Sequence, residues 1–165
     1  MKNGNELNSI KIIDNILTEE ERLTLLNLSK PLLQRIGNCP GLQTLPNLHK
    51  LSVFSNLITK IVHKCDINRR IVKSWVNYTD KDMAYESWHC HQYSFHTTIC
   101  YMIENPEGIG TFFKIGDEIF PTECSTNSVM LLPSDLIHTV PPNVTMPRYS
   151  LAIDFKDKKM NIQYE

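Results

Sequence analysis

The stretch Ser87-Trp88-His89-Cys90-His91-Gln92-Tyr93 places two histidines one residue apart, in a chain with six histidines in all. On a β-strand, residues i and i+2 project to the same face. His89 and His91 would therefore point together, and Trp88 and Cys90 away. Neutral imidazoles that share a face are a standard pair of ligands for Fe(II), Zn or Ni. An isolated His-x-His reads equally well as two polar rings at an exposed strand end, bonded to water or backbone. A third histidine shifts that balance. Met130 to Pro142 reads MLLPSDLIHTVPP: an apolar strand, a Pro-Ser-Asp turn and a second strand that carries His138. One imidazole in an apolar stretch is either a core-edge histidine with one hydrogen bond or a ligand delivered from a neighbouring strand. Ten residues later comes Arg148-Tyr149-Ser150. On a strand Arg148 and Ser150 share a face. A guanidinium beside a hydroxyl suits a carboxylate, because the arginine fork matches two oxygens; the plain alternative for Arg148 is a solvated strand start.

These residues need elements that bring them together, and the pattern of the chain changes near residue 66. Before it, helical patterns dominate. Ser9 to Asp14 (SIKIID) alternates like a short strand. Thr18 with Glu21 then makes a capping-box pattern ahead of a leucine stripe from Leu23 to Leu33. Asn38, Pro40 and Gly41 form a break. Leu51, Phe54, Leu57, Ile58, Ile61 and Val62 follow at the spacing of a second amphipathic helix. After Cys65 the period becomes two. Candidate strands are 71–78, 87–91, 96–103, 110–115, 118–121, 129–132, 137–140 and 149–155, separated by turn signals such as Gly116-Asp117 and Pro133-Ser134. Short strands at close spacing with no helix between them predict a mainly β, antiparallel sandwich or barrel with the N-terminal helices packed on one sheet. A double-stranded β-helix (jelly roll) fits this plan, as does another sandwich. The expectation is one domain over 1–165, with 1–66 as helical support and 67–156 as the β core.

The 165 residues suffice for a real core, with 41% apolar and 21% charged residues. A net charge of −1 leaves no electrostatic footprint for nucleic acid or an anionic membrane. No apolar run approaches the roughly 20 residues of a membrane span, and the first residues lack the apolar stretch of a signal peptide. The expected setting is cytoplasmic. Cys39, Cys65, Cys90, Cys100 and Cys124 are odd in number and form no Cys-x-x-Cys pair, so they are expected as thiols. Trp75 and Trp88 are expected in the core, and His49 and His63 on the surface.

The ordered set of motifs resembles the 2-oxoglutarate/Fe(II)-dependent oxygenase superfamily in its prolyl-4-hydroxylase-like branch. More closely it is similar to a small phage- and bacteria-associated group. The residues that carry the resemblance are Trp75-Val76-Asn77, His89-Cys90-His91-Gln92-Tyr93-Ser94, Tyr101, Leu132-Pro133-Ser134, His138-Thr139-Val140-Pro141-Pro142-Asn143 and Arg148-Tyr149-Ser150, with the PGLQTLPNLHKL stretch from Pro40. The resemblance implies a jelly-roll core, catalytic Fe(II), 2-oxoglutarate as cosubstrate, and hydroxylation of a peptide or small-molecule substrate with release of succinate and CO2. It assigns His89 and His138 as metal ligands and Arg148, with Ser150, as the anchor of the distal carboxylate of 2-oxoglutarate. Asn77 and Tyr101 are further candidates to hydrogen-bond the cosubstrate, although a buried tyrosine with its hydroxyl paired is the commoner arrangement. The sequence departs from the superfamily at His91, where a carboxylate usually completes the facial triad. Either His91 is a third, neutral ligand, or an acid such as Glu86 or Asp135 stands in, or the site has taken another use. The competing readings are a three-histidine metal enzyme that needs no 2-oxoglutarate and a metal-free jelly-roll binding module.

Overall fold

A computed structural model describes residues 9–37, 41–83, 87–91, 97–141 and 144–156. Strand β1 (Lys11–Ile13) leads to helix α1 (Glu19–Ser29). Strand β2 (Leu42–Gln43) and helix α2 (Ser52–Lys64) follow. The β region comprises β3 (Arg70–Thr79), β4 (Thr98–Glu104), β5 (Phe112–Ile115), β6 (Glu118–Phe120), β7 (Val129–Leu132), β8 (His138–Thr139) and β9 (Arg148–Lys156). Six strands form an antiparallel sheet in the order β1-β7-β4-β9-β3-β2, and a smaller sheet has the order β6-β5-β8. This is the expected mainly β jelly-roll plan with two helices on one sheet.

The large sheet is covered on both faces, and period-two alternation sorts its side chains between them. Ile99, Tyr101 and Ile103 of β4 and Leu151, Ile153 and Phe155 of β9 face one way. They form one cluster with Leu25 and Leu26 of α1 and Phe54, Ile58, Ile61 and Val62 of α2. Met102, Met130 and Leu132 face the other way and meet Phe113 and Ile115 of the small sheet. Thr98, Cys100, Arg148, Ser150, Ala152, Trp75 and Asn77 share that inner face with them. Helix α1 starts where the capping box predicts: Glu21 N–H donates to Thr18 Oγ1 at 3.3 Å and Thr18 N–H donates to Glu21 Oε2 at 2.9 Å. Arg22 pins the helix to β4 by donating to the Ile103 carbonyl at 2.8 Å.

Two strand expectations change. The one over 87–91 reduces to a single antiparallel bridge at His89, because the next backbone donor, His91 N–H, turns to the Ser134 carbonyl at 2.7 Å. The short β2, unforeseen in the sequence, pairs with β3 through Leu42 and Gln43. No helix among the described residues is long and apolar enough to cross a membrane.

Tyr101 requires a correction. Its odd position on β4 turns it toward the helices, fully buried, with its hydroxyl donating to Asn127 Oδ1 at 2.8 Å. The same Asn127 amide accepts from Leu17 N–H at 3.0 Å and donates to the Leu17 carbonyl at 2.8 Å. Tyr101 thus clasps the entry to α1 and lies on the face opposite Arg148, outside any reach of a cosubstrate held there. Tyr101→Phe should lower stability by about 1 kcal/mol, the usual worth of one buried hydrogen bond, and leave any binding at Arg148 unchanged. Urea unfolding paired with a 2-oxoglutarate titration measures both; weakened cosubstrate binding would contradict the placement.

Candidate functional site

The backbone of His89 pairs with that of His138. His89 N–H donates to the His138 carbonyl at 2.9 Å, and His138 N–H donates back at 2.8 Å. The two rings are thereby set 4.5 Å apart, centroid to centroid. His91 shares the face of His89, as its parity requires, and its ring lies 5.1 Å from that of His138. One nitrogen from each of the three rings lies within 4.8 Å of the others. Trp88 points elsewhere, with the Lys114 ammonium 6.0 Å above its ring.

The other ring nitrogen is occupied in every case. His89 Nδ1 lies 2.8 Å from the Ser87 carbonyl, and His138 Nδ1 lies 2.7 Å from the Leu136 carbonyl. A carbonyl only accepts, so each Nδ1 carries the proton and each Nε2 keeps a free lone pair. His91 Nδ1 lies 2.7 Å from Asp154 Oδ1, which holds it in the same orientation. Metal-binding histidines carry this kind of outer hydrogen bond. Burial drives the His138 imidazole down to about 3, with the neighbouring His89 adding to the effect. Desolvation also lowers His89, opposed by the Ser87 carbonyl. His138 is therefore neutral at physiological pH, as a ligand must be. The donor set fits a first-row divalent cation.

Farther along β9, Arg148 and Ser150 project into the same cavity, and both are buried. Arg148 Nη2 lies 3.4 Å from Met102 Sδ, a weak acceptor. Its Nε is the one buried side-chain polar atom among the described residues with no hydrogen-bond partner. Burial lowers the pKa of this guanidinium. A buried cation whose acceptors are weak sulfurs is costly, and a carboxylate entering the cavity would supply a stronger partner. Asn77 stands opposite Ser150 in the β3–β9 register. Its Oδ1 accepts from Gln43 Nε2 at 2.7 Å and from Trp75 Nε1 at 3.0 Å. With the oxygen so engaged, its amide NH2 is the end left to donate.

The structure therefore gathers His89, His91, His138, Arg148, Ser150 and Asn77 around one cavity. Asp135 does not join them. It stands exposed in the turn before β8, and the cavity-lining residues include no carboxylate among those described. Glu86 lies outside the described residues, as does His96. Trp75, expected in the core, lines the cavity and stacks on His91 at 5.6 Å with a 16° interplanar angle. His49 is half-buried and bonds Ser74 Oγ through Nδ1 at 2.9 Å. Gln43, Thr98 and Asp154 were not picked out from the sequence. A strand-parity reading of β9 extended past Ser150 would have marked Asp154, an acid at the inward position of an apolar strand.

Solved structures of the same fold span nearly the whole chain. An epimerase from nogalamycin biosynthesis, SnoN, in complex with Fe3+, alpha ketoglutarate and nogalamycin RO, superimposes with a TM-score of 0.68 at 14% identity, covering 90% of this chain and 78% of that one. HygX from Streptomyces hygroscopicus, with nickel, 2-oxoglutarate and hygromycin B bound, gives 0.71 at 12% identity, over 94% and 88%. A prolyl hydroxylase from Trichoplax adhaerens, in complex with a hypoxia inducible factor peptide, gives 0.62 at 14% identity, over 98% and 90%. The chain has the jelly-roll fold that these 2-oxoglutarate-dependent enzymes and prolyl hydroxylases share. No protein-family model and no curated protein matches the sequence.

The neutral His138 has a consequence for pH. The unfolded chain titrates this imidazole near ~6.5, whereas the folded chain resists protonation until about 3. Below pH ~6.5 the unfolded state binds the extra proton, so stability falls as pH drops from there toward 3. His138→Gln should remove this part of the slope. Urea unfolding of the metal-free protein between pH 7.5 and 4.5 checks it; equal slopes for the two proteins would show that His138 is not held neutral.

Proposed function

We propose that the chain is a 2-oxoglutarate- and Fe(II)-dependent oxygenase that hydroxylates a peptidyl or small-molecule substrate. The observation that carries this reading is the juxtaposition, in one cavity, of three imidazoles with free Nε2 atoms and a buried arginine with an unpaired Nε. His89, His91 and His138 would hold the iron. Arg148 and Ser150 would bind the far carboxylate of 2-oxoglutarate, and the Asn77 amide would donate to the cosubstrate between them. Iron with 2-oxoglutarate supplies the oxidising chemistry: dioxygen inserts one atom into a substrate C–H bond and the other into succinate, and CO2 is lost.

The protein's own part is to bind, orient and exclude. The Ser87 and Leu136 carbonyls and Asp154 fix the three rings, so little reorganisation accompanies metal entry. Three protein ligands would leave open the positions that a cosubstrate needs. The apolar walls of Leu132, Val140 and Ala152 restrict water inside the cavity. Ligands of both kinds are bound in proteins of this fold, a peptide in the Trichoplax enzyme and hygromycin B in HygX. Free thiols at Cys65, Cys90, Cys100 and Cys124 favour a reducing, cytoplasmic setting. A three-histidine enzyme without 2-oxoglutarate is the competing reading; it would leave the Arg148–Ser150 end of the cavity without a role.

Two substitutions test the assignment. Arg148→Ala should weaken 2-oxoglutarate binding by about ten- to more than a hundred-fold, since a hydrogen bond to a charged group is worth roughly 1.5–3 kcal/mol. It should leave metal affinity nearly intact. His138→Ala should lose the metal while remaining folded. Anaerobic calorimetric titrations of Fe(II), and of 2-oxoglutarate into the Fe(II)-loaded protein, measure these effects. An unchanged 2-oxoglutarate isotherm for Arg148→Ala would refute the anchor, and full Fe(II) affinity in His138→Ala would refute the metal site.

A further inference from the structure

Three imidazoles give a metal no negative charge, yet one acid lies directly behind them. Asp154 is the only acidic residue buried among those described, at 7% exposure. Its register partner on β4 is Thr98, whose hydroxyl donates to Oδ1 at 3.1 Å, and His91 Nδ1 meets the same oxygen at 2.7 Å. No lysine or arginine pairs with it among the described residues. A buried carboxylate with no lysine or arginine beside it among the described residues is expensive to keep. The cost falls if a cation sits on the far side of the imidazole that it touches. The other two rings rest on neutral carbonyls, so His91 alone has a charged acceptor behind it.

Resting on the reading of His91 as a ligand, we propose that Asp154 is a positioning residue that delivers to the metal, through the His91 imidazole, the negative charge that the ligand set itself lacks. The carboxylate draws the Nδ1 proton toward itself and enriches Nε2 in electron density, so the ring donates more strongly than a neutral imidazole on a carbonyl. The charge is displaced by one ring from the usual ligand carboxylate; it is not missing.

Asp154→Asn isolates the charge, because an asparagine Oδ1 can still accept from both His91 Nδ1–H and the Thr98 hydroxyl. Co(II) alone, without cosubstrate, is the probe, followed by its visible absorbance. Asp154→Asn should bind Co(II) about 10- to 100-fold more weakly than the parent, the usual cost of losing such an outer partner. The melting temperature of the metal-free protein should be unchanged or higher. The decisive comparison repeats the change in a His91→Asp background, where a carboxylate is itself placed at the ligand position: there Asp154→Asn should cost no affinity. A loss of equal size in both backgrounds would mean that Asp154 serves only as scaffold and would overturn the proposal, as would unaltered Co(II) affinity in Asp154→Asn. If the parent protein itself takes no Co(II), the metal site falls together with this inference; a parent that binds Co(II) beside an unaffected Asp154→Asn sinks the inference alone.

Discussion

The alternation of one strand governs the molecule. β9 is central in the large sheet, paired with β4 on one side and β3 on the other. Its odd residues from Leu151 to Phe155 are apolar and lock the sheet to the two helices. Its even residues from Arg148 to Asp154 turn inward and carry a guanidinium, a hydroxyl, a methyl and a carboxylate. A slip of one residue would drive Arg148 and Asp154 into the helix-facing core and would bury polar groups without partners. The hydrophobic demand of one face thus fixes the chemistry of the other. The three histidines come from outside this strand, and Asp154 ties one of them to it.

The inner face also shows what the fold gives up. An apolar sandwich would hold more hydrocarbon where Arg148, Ser150, Asp154, Thr98 and Asn77 stand. Among the described residues Arg148 lies against sulfur with no carboxylate, and Asp154 against a histidine with no lysine or arginine. Buried groups so placed are destabilising in the empty protein. A cation at the histidines and a carboxylate at the arginine would each remove one of these deficits. Any ligand that supplied either charge would stabilise the folded chain as it bound.

The helices and most strands were legible because their patterns are local. The capping box at Thr18, the apolar stripe of α2 and the alternation of β9 each determine structure within a few residues. The His-x-His parity and the Arg-x-Ser parity were legible for the same reason, and the spacing of the motifs suggested that distant pieces would meet. Three features were not legible. The 87–91 segment has strand-like parity, but it meets β8 only at His138 before His91 N–H turns to the Ser134 carbonyl. Tyr101 sits in a motif of cavity residues, and parity separates it from Cys100 and Met102 but does not say which of the two faces carries the cavity. Asp154 lies 63 residues from the imidazole that it touches, and His91 reaches it from a segment held at His138 and Ser134, a meeting that no local pattern encodes.

The central claim is that the three imidazoles and the arginine form one composite site. A crystal structure of the protein grown anaerobically with Fe(II) and 2-oxoglutarate tests it most directly. The account predicts an anomalous iron peak bonded to Nε2 of His89, His91 and His138 at about 2.1 Å, as is usual for metal–imidazole bonds, with a 2-oxoglutarate carboxylate on Arg148 and Ser150 in the same cavity. Iron held by carboxylates elsewhere, or 2-oxoglutarate absent from Arg148 while iron is bound, would contradict it.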